Sequence, residues 1–65
     1  MKLNILKLNK IMTERGLNQS ALARELNVSR QLVSKWFQNP EAIRLGTIDR
    51  IATAVDTDPK ELIGY

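Results

Sequence analysis

Apolar residues recur every three or four positions along most of this 65-residue chain, with polar residues between them. Such spacing places apolar side chains on one face of an α-helix, so the pattern predicts helices. It predicts an all-α fold of five helices, without strands, linkers or repeats. The predicted helices cover residues near 4–15, 19–26, 30–38, 45–55 and a short segment from Pro59.

Three of these helices follow a residue whose side-chain oxygen can accept a hydrogen bond from a free N–H group of the first turn. These residues are Asn18, Ser29 and Asp58. Asp58 is also followed by Pro59, and Pro is favoured at the first helical position because the missing N–H would have no partner there. The predicted helix starts therefore have a physical basis beyond periodicity.

Residues that end helices stand between the same segments. Gly16 and Asn27 tolerate the left-handed backbone conformation with which many helices end. Asn27 occupies the turn between the second and third helices, where a sharp reversal is expected. Pro40 disfavours helix at the residue before it, so the third helix is expected to end there and a loop to follow over 40–44.

The apolar faces are expected to meet in one small core. A chain of this size buries only about 60% of the surface of its unfolded form, which leaves little material for a deep catalytic pocket. Trp36 stands at core spacing beside Val33, so packing is its expected role, with base stacking as the alternative. The other residues expected to face inward are Ile5, Leu8, Ile11, Met12, Leu22, Ala23, Leu26, Leu45, Ile48, Ile51, Ala52, Val55, Leu62 and Ile63.

The third predicted helix carries a polar face opposite its apolar one. Residues four positions apart project from the same side of a helix, which groups four polar side chains there. Arg, Gln, Ser and Lys can donate to and accept from base edges and phosphates, so this face suits a DNA major groove. The alternative is a solvated helix face. The four residues are Arg30, Gln31, Ser34 and Lys35.

Composition argues against catalysis and against bound metals. The chain has no Cys and no His, which removes disulfides, thiolate metal sites and the usual general base. Glu25, Glu41 and Asp49 are dispersed carboxylates, expected on the surface and not as a catalytic pair. We therefore expect no enzyme activity, no cofactor, no metal and no small-molecule ligand.

The charge distribution favours an anionic partner. The formal net charge is +3, and Lys and Arg exceed Asp and Glu by five over residues 1–50, whereas residues 51–65 carry −2. A basic region attracts a polyanion such as DNA. No apolar run approaches the roughly 20 residues of a membrane span, and the first residues lack a signal-peptide core. A cytoplasmic protein without membrane contact is expected.

Two runs of residues carry a family resemblance. Gly16-Leu17-Asn18-Gln19-Ser20-Ala21-Leu22-Ala23 and Leu26-Asn27-Val28-Ser29-Arg30-Gln31-Leu32-Val33-Ser34-Lys35-Trp36 resemble the Cro and phage-repressor type of helix-turn-helix domain, often called the XRE family. The likeness extends from about Leu8 to Ile63. It implies one compact five-helix domain of the lambda-repressor-like type over residues 1–65, with the helix-turn-helix motif at about 19–38.

The resemblance also implies site residues. The Gln that opens the second helix contacts a phosphate in the family, which points to Gln19 here. Early residues of the third helix read bases, which points to Arg30, Gln31 and Ser34, with Lys35 on a base or a phosphate. The chemistry agrees, because Arg can pair bidentately with guanine and Gln with adenine.

The residues that hold the DNA backbone in the family are the cap of the third helix and the loop after it. Those positions here are Ser29 and the segment from Asn39 to Arg44. Leu32 lies between the two faces of its helix and is expected either to be partly buried or to touch a thymine methyl group.

The chain departs from the family pattern at two places. Many members pair an Arg in the first helix with a Glu late in the third, and the matching positions are Met12 and Phe37. Both are apolar, so a Met12–Phe37 contact is expected in place of the ion pair, which avoids desolvating two charges. Asn27 stands where Gly is common, and its turn is expected to survive at a modest strain cost.

The resemblance implies a bacterial or phage-encoded, sequence-specific regulator that binds double-stranded DNA. A Cro-like repressor is the leading expectation, with plasmid or toxin–antitoxin regulators as related possibilities. Binding as a homodimer to a two-fold operator is expected, through a patch near Ile43 to Leu45 and Asp56 to Tyr65. Tyr65 is expected either to contribute to the contact between the two copies or to be a loosely held terminal residue. The alternative function is a protein-interaction module, such as an antitoxin or anti-repressor.

Overall fold

The computed structural model describes residues 2–64. Within that range the chain forms five α-helices together with a 3₁₀ helix and two short strands. The ends of the first four helices fall within one residue of the predicted bounds, and the fifth begins at Pro59 as predicted. The elements in chain order are β1 (Lys2–Leu3), α1 (Ile5–Glu14), α2 (Gln19–Leu26), α3 (Arg30–Gln38), the 3₁₀ helix (Pro40–Ala42), α4 (Leu45–Ala54), α5 (Pro59–Leu62) and β2 (Ile63–Gly64).

Side-chain caps begin α2 and α5 as the sequence predicts, and α1 has a cap that the sequence interpretation did not include. Asn18 Oδ1 accepts a hydrogen bond of 2.8 Å from the backbone N–H of Ala21, and Asp58 Oδ1 accepts one of 2.9 Å from Lys60 N–H. Asn4 caps α1 in the same way, through Lys7 N–H at 3.1 Å. Each cap satisfies an N–H group that has no partner inside its own helix.

Three helices end through a residue in the left-handed conformation. Gly16, Asn27 and Asp56 follow α1, α2 and α4 with φ of 68°, 57° and 56°. The backbone N–H of the residue after each one donates a hydrogen bond to the carbonyl five residues earlier, with N···O distances of 2.8–3.0 Å. This hydrogen bond is the Schellman arrangement that closes a helix end. The expected turn at Asn27 is confirmed, and Asp56 is a third turn of the same kind.

The core lies between the five helices and agrees with most of the expected inward positions. Trp36 and Phe37 are half-buried and pack against this core, which confirms packing as the role of Trp36. Phe37 therefore packs against the cluster that contains Met12, whereas a direct contact between the two side chains stays a prediction. The buried residues are Leu3, Leu8, Ile11, Met12, Leu22, Ala23, Leu26, Val33, Ile43, Ile48, Ile51, Ala52, Val55 and Leu62.

The expectation of a fold without strands is wrong. Lys2 and Leu3 pair with Gly64 and Ile63 in a two-stranded antiparallel sheet. Asn4 N–H extends the pairing by a hydrogen bond of 2.7 Å to the carbonyl of Leu62. Leu3 is only 1% exposed, so the sheet adds a core residue that helical periodicity did not identify.

Two further expectations are wrong, one in the segment between α3 and α4 and one at the first residue of α4. Part of the predicted loop over 40–44 is a 3₁₀ helix, Pro40–Ala42, and the side chain of Ile43 belongs to the core. Leu45, expected inside, is 46% exposed. It is the first residue of α4, where the side chain projects past the end of the helix rather than onto its buried face.

No helix formed by residues 2–64 combines the length and the apolar character needed to cross a bilayer.

Candidate nucleic-acid interface

The orientation of α3 is fixed by its apolar side. Val33 is fully buried, and Trp36 and Phe37 pack on the same core. At the start of the helix, Ser29 Oγ accepts a hydrogen bond of 3.1 Å from the N–H of Leu32. Because both the back and the first turn of α3 are held, the polar residues of the helix face outward as a defined surface.

That surface forms a shallow groove along α3. Four of its five side chains are exposed, and Ser34 is half-buried. They include the four base-reading residues predicted from the sequence, which the structure brings together on one side of the helix. We refer to these five residues as the recognition face: Arg30, Gln31, Ser34, Lys35 and Gln38.

Gln38 was missed by the sequence interpretation. It lies four residues after Ser34 and seven after Gln31, so helical spacing places it on the same face. Gln38 lies in the last turn of α3, outside the early residues of the helix at which base contacts are predicted. The spacing itself would have been sufficient to find it.

The charge of the recognition face is positive. Arg30 and Lys35 are its cationic members, and no acidic residue occurs between Glu25 and Glu41. Neither α3 nor the turns that flank it carry an acidic side chain, so no negative charge there would repel a polyanion. Amide groups at Gln31 and Gln38 add donors and acceptors to this cationic surface.

Gln19 joins the recognition face from α2. Ser34 Oγ donates a hydrogen bond of 2.9 Å to Gln19 Oε1, across 15 residues of sequence. Gln19 is the first residue of α2, so the bond connects the start of one helix to the middle of the next. The predicted phosphate-binding residue and a predicted base-reading residue are thus in direct contact.

A second shallow groove adjoins the recognition face at the start of α3. Its lining consists of Ser29, Gln31, Leu32 and Lys35. Leu32 is 38% exposed, although most of the other large apolar residues of the chain are buried. Its exposed surface lies next to the polar side chains, where an apolar group of a ligand can meet it.

The remaining predicted phosphate-binding residues flank the 3₁₀ helix. Asn39 is exposed at the end of α3, and Arg44 is exposed immediately before α4. Neither lines the two grooves described above. Arg44 occupies the N-cap position of α4, where its guanidinium makes no cap hydrogen bond because it has donors only and cannot accept from the free N–H groups.

Interactions behind the helix-turn-helix motif hold it in place. Arg50 of α4 donates a hydrogen bond of 3.0 Å to the carbonyl of Leu26, beside the turn. Glu25 and Asp49 line the groove around Arg50 and are exposed, as expected for surface carboxylates.

Within residues 2–64, no group of three or more His, Cys, Asp or Glu side chains is arranged to hold a metal ion.

Comparison with known proteins agrees with this geometry. The family model described as a Cro/C1-type HTH DNA-binding domain matches residues 7–65. A solved structure of the restriction-modification controller protein C.AhdI from Aeromonas hydrophila is similar, with a TM-score of 0.78 and 30% sequence identity, covering 91% of this chain and 89% of that one. A search of curated proteins gives no match. The chain therefore belongs to the Cro/C1-type helix-turn-helix family of DNA-binding transcription regulators.

Proposed function

We propose that the protein is a Cro-like repressor, in which residues 1–65 act as one domain that inserts α3 into the major groove of a two-fold operator. The recognition face carries this proposal. It combines cationic and amide side chains on a helix whose back is fixed to the core, and a helix of this diameter fits the major groove. Arg30, Gln31, Lys35 and Gln38 are the proposed base-contacting residues.

Phosphate contacts are proposed at the borders of the recognition face. Gln19 stands at the start of α2, where free N–H groups and the helix dipole favour an anion. Ser29 uses its oxygen as a hydrogen-bond acceptor, which leaves its hydroxyl proton available to a phosphate. Asn39 and Arg44 are proposed to hold the backbone on the other side. Such contacts position the protein and carry little sequence information.

Leu32 is proposed to touch the methyl group of a thymine. Its exposure beside Gln31 and Lys35 supports this role, because it presents an aliphatic edge within the polar surface that would face the groove. In the major groove the thymine methyl is the apolar feature that an aliphatic side chain can recognise.

A homodimer is proposed because one recognition helix contacts few base pairs. Two copies on a two-fold operator, with half-sites about one helical turn apart, supply the missing specificity. The exposed side chain of Leu45 supports a contact near the start of α4, whereas Ile43 is buried and is removed from the predicted patch. Asp56 remains in the proposed patch, and Tyr65 lies outside the described residues.

Selection of binding sites from a random duplex pool tests the proposal. We expect a palindromic winner that binds at least about a thousandfold tighter than random duplex at physiological salt. Sedimentation of the complex should give two protein chains per duplex. A protein that binds the winner as a monomer would contradict the dimer. No enrichment, with only weak binding that disappears at high salt, would contradict the DNA-binding function and favour a protein-interaction module.

The likeness to the C.AhdI controller supports a second candidate role. At 30% identity over nine-tenths of the chain, a controller of a restriction–modification system is an alternative to a Cro-like repressor. The selected operator distinguishes the two roles. An operator in front of neighbouring genes for a restriction endonuclease and a DNA methyltransferase would support the controller, and one within a promoter of another kind would contradict it.

A further inference from the structure

Ser34 differs from the other residues of the recognition face because its hydroxyl is already engaged. Its Oγ donates to Gln19 Oε1 at 2.9 Å, and the side chain is half-buried. A serine hydroxyl has a single proton to donate. That proton is directed toward α2, whereas Arg30, Gln31, Lys35 and Gln38 point to solvent.

We propose that Ser34 is a positioning residue, which orients Gln19 for a phosphate, and that it does not read a base. The proposal deepens the function proposed above and rests on it. It replaces the base-reading role that the family resemblance implies for this position. The partner that Gln19 would meet is a phosphate oxygen of the DNA backbone.

The chemistry of the glutamine amide explains why orientation matters. The amide has an acceptor oxygen on one side and two N–H donors on the other, and a phosphate can accept only from the donors. When Oε1 of Gln19 accepts from Ser34, the oxygen is held at α3 and the Nε2 donors are the part of the amide left for a phosphate. An unheld Gln19 would sample orientations in which its oxygen faces the phosphate and repels it.

Holding Gln19 in the free protein also lowers the entropy cost of binding. A long side chain loses rotamer freedom when it is immobilised at an interface. Part of that loss has already occurred in the free protein because of the bond to Ser34. The Ser34–Gln19 pair therefore supports affinity for any duplex, since every duplex presents the same phosphates.

The bond also joins the phosphate contact to the helix that reads bases. Ser34 lies in the middle of α3, between Arg30 and Gln38. A phosphate held by Gln19 is thereby fixed relative to the side chains that enter the groove. Loss of the bond should weaken binding equally for all sequences, because no base contact is removed.

Ser34→Ala, Ser34→Thr, Gln19→Ala and the Ser34→Ala/Gln19→Ala double variant test the proposal. Binding is titrated on the duplex selected by the wild type and on a random duplex, at temperatures where all variants are folded. Ser34→Ala should weaken binding to both duplexes by the same factor, about 2- to 10-fold, as for loss of one hydrogen bond. The slope of affinity against salt should stay unchanged, because Gln19 is neutral and releases no counterion.

Coupling between the two residues provides the second readout. The double variant should bind no more weakly than Gln19→Ala, since Ser34 acts only through Gln19. Ser34→Thr keeps a hydroxyl and should retain the affinity of the wild type. An altered base preference in Ser34→Ala, additive losses in the double variant, or an unchanged affinity would each overturn the proposal.

A third readout needs no DNA, so that failure of the positioning role is distinguishable from failure of the proposed function. Nitrogen-15 relaxation of the Gln19 side-chain amide reports its rigidity in the free protein. Its order parameter should fall in Ser34→Ala and stay at the wild-type value in Ser34→Thr. An amide that is equally mobile in the wild type and in Ser34→Ala would overturn the positioning role, whatever the protein binds.

Discussion

The guanidinium of Arg50 on α4 donates a hydrogen bond of 3.0 Å to the backbone carbonyl of Leu26, the last residue of α2. Carbonyl groups at the end of a helix lack partners within it, so this bond satisfies one of them and places a cation near the negative end of the helix dipole. Because Leu26 precedes the turn at Asn27, α4 supports the helix-turn-helix motif from behind.

Arg50→Ala should therefore lower the free energy of unfolding by about 1 kcal/mol, a value at the middle of the range for single hydrogen bonds. Urea denaturation measures this change. Base preference on the selected duplex should stay unchanged, because Arg50 lies outside both grooves at α3. A variant with wild-type stability would show that the bond contributes nothing in solution.

Gly16→Ala and Gly46→Ala should change stability in opposite directions, although both add a methyl group to open space. At Gly16, with φ of 68°, alanine adopts a left-handed conformation that costs about 1–2 kcal/mol. At Gly46, within α4, alanine gains up to about 1 kcal/mol of helix propensity. Thermal unfolding of both variants checks the signs. Equal shifts would mean that backbone conformation does not govern these two positions.

Arg30→Ala and Arg44→Ala should separate base reading from phosphate binding. Arg30→Ala should cost about 1–3 kcal/mol on the selected duplex and relax the preference at one base position. Arg44→Ala should weaken binding to all sequences and lower the salt slope by about one unit. Site selection and salt titration of both variants provide the comparison. If Arg30→Ala weakens every sequence equally, Arg30 is not a base-reading residue.

The proposed contact of Leu32 with thymine is testable by removing the methyl group from the DNA. Replacing single thymines of the selected duplex by uracil should weaken wild-type binding at one position by about 3- to 5-fold, as for loss of one buried methyl group. Leu32→Ala should bind the thymine and uracil duplexes equally. Sensitivity to uracil that persists in Leu32→Ala would assign the methyl contact to another residue.

Local features were the ones predictable from the sequence. The cap at Asn18 and the turn at Asn27 each depend on a few neighbouring residues, and both were predicted correctly. The spacing of Arg30, Gln31 and Lys35 along one helix also placed these residues together. Contacts within one or two helical turns join residues at fixed sequence spacings, so they can be recognised in the sequence itself.

Features that depend on distant residues were not predictable in the same way. The sheet pairs two strands of two residues each, which are too short to show an alternating pattern. The bond between Ser34 and Gln19 depends on how α2 and α3 pack and on side-chain rotamers. The exposure of Leu45 depends on where α4 begins relative to the core, which periodicity alone does not contain.

The sheet between β1 and β2 has a consequence for the order in which the molecule opens. Pairing Leu3 with Ile63 closes a loop of about 60 residues, and long loops carry a larger entropic cost than the short turns between helices. We therefore expect the sheet to form late in folding and to exchange its amide hydrogens early. Since each strand is the other's partner, β1 and β2 lose their pairing in one event, which we expect to release Leu3 from the core and to leave the helix-turn-helix motif folded.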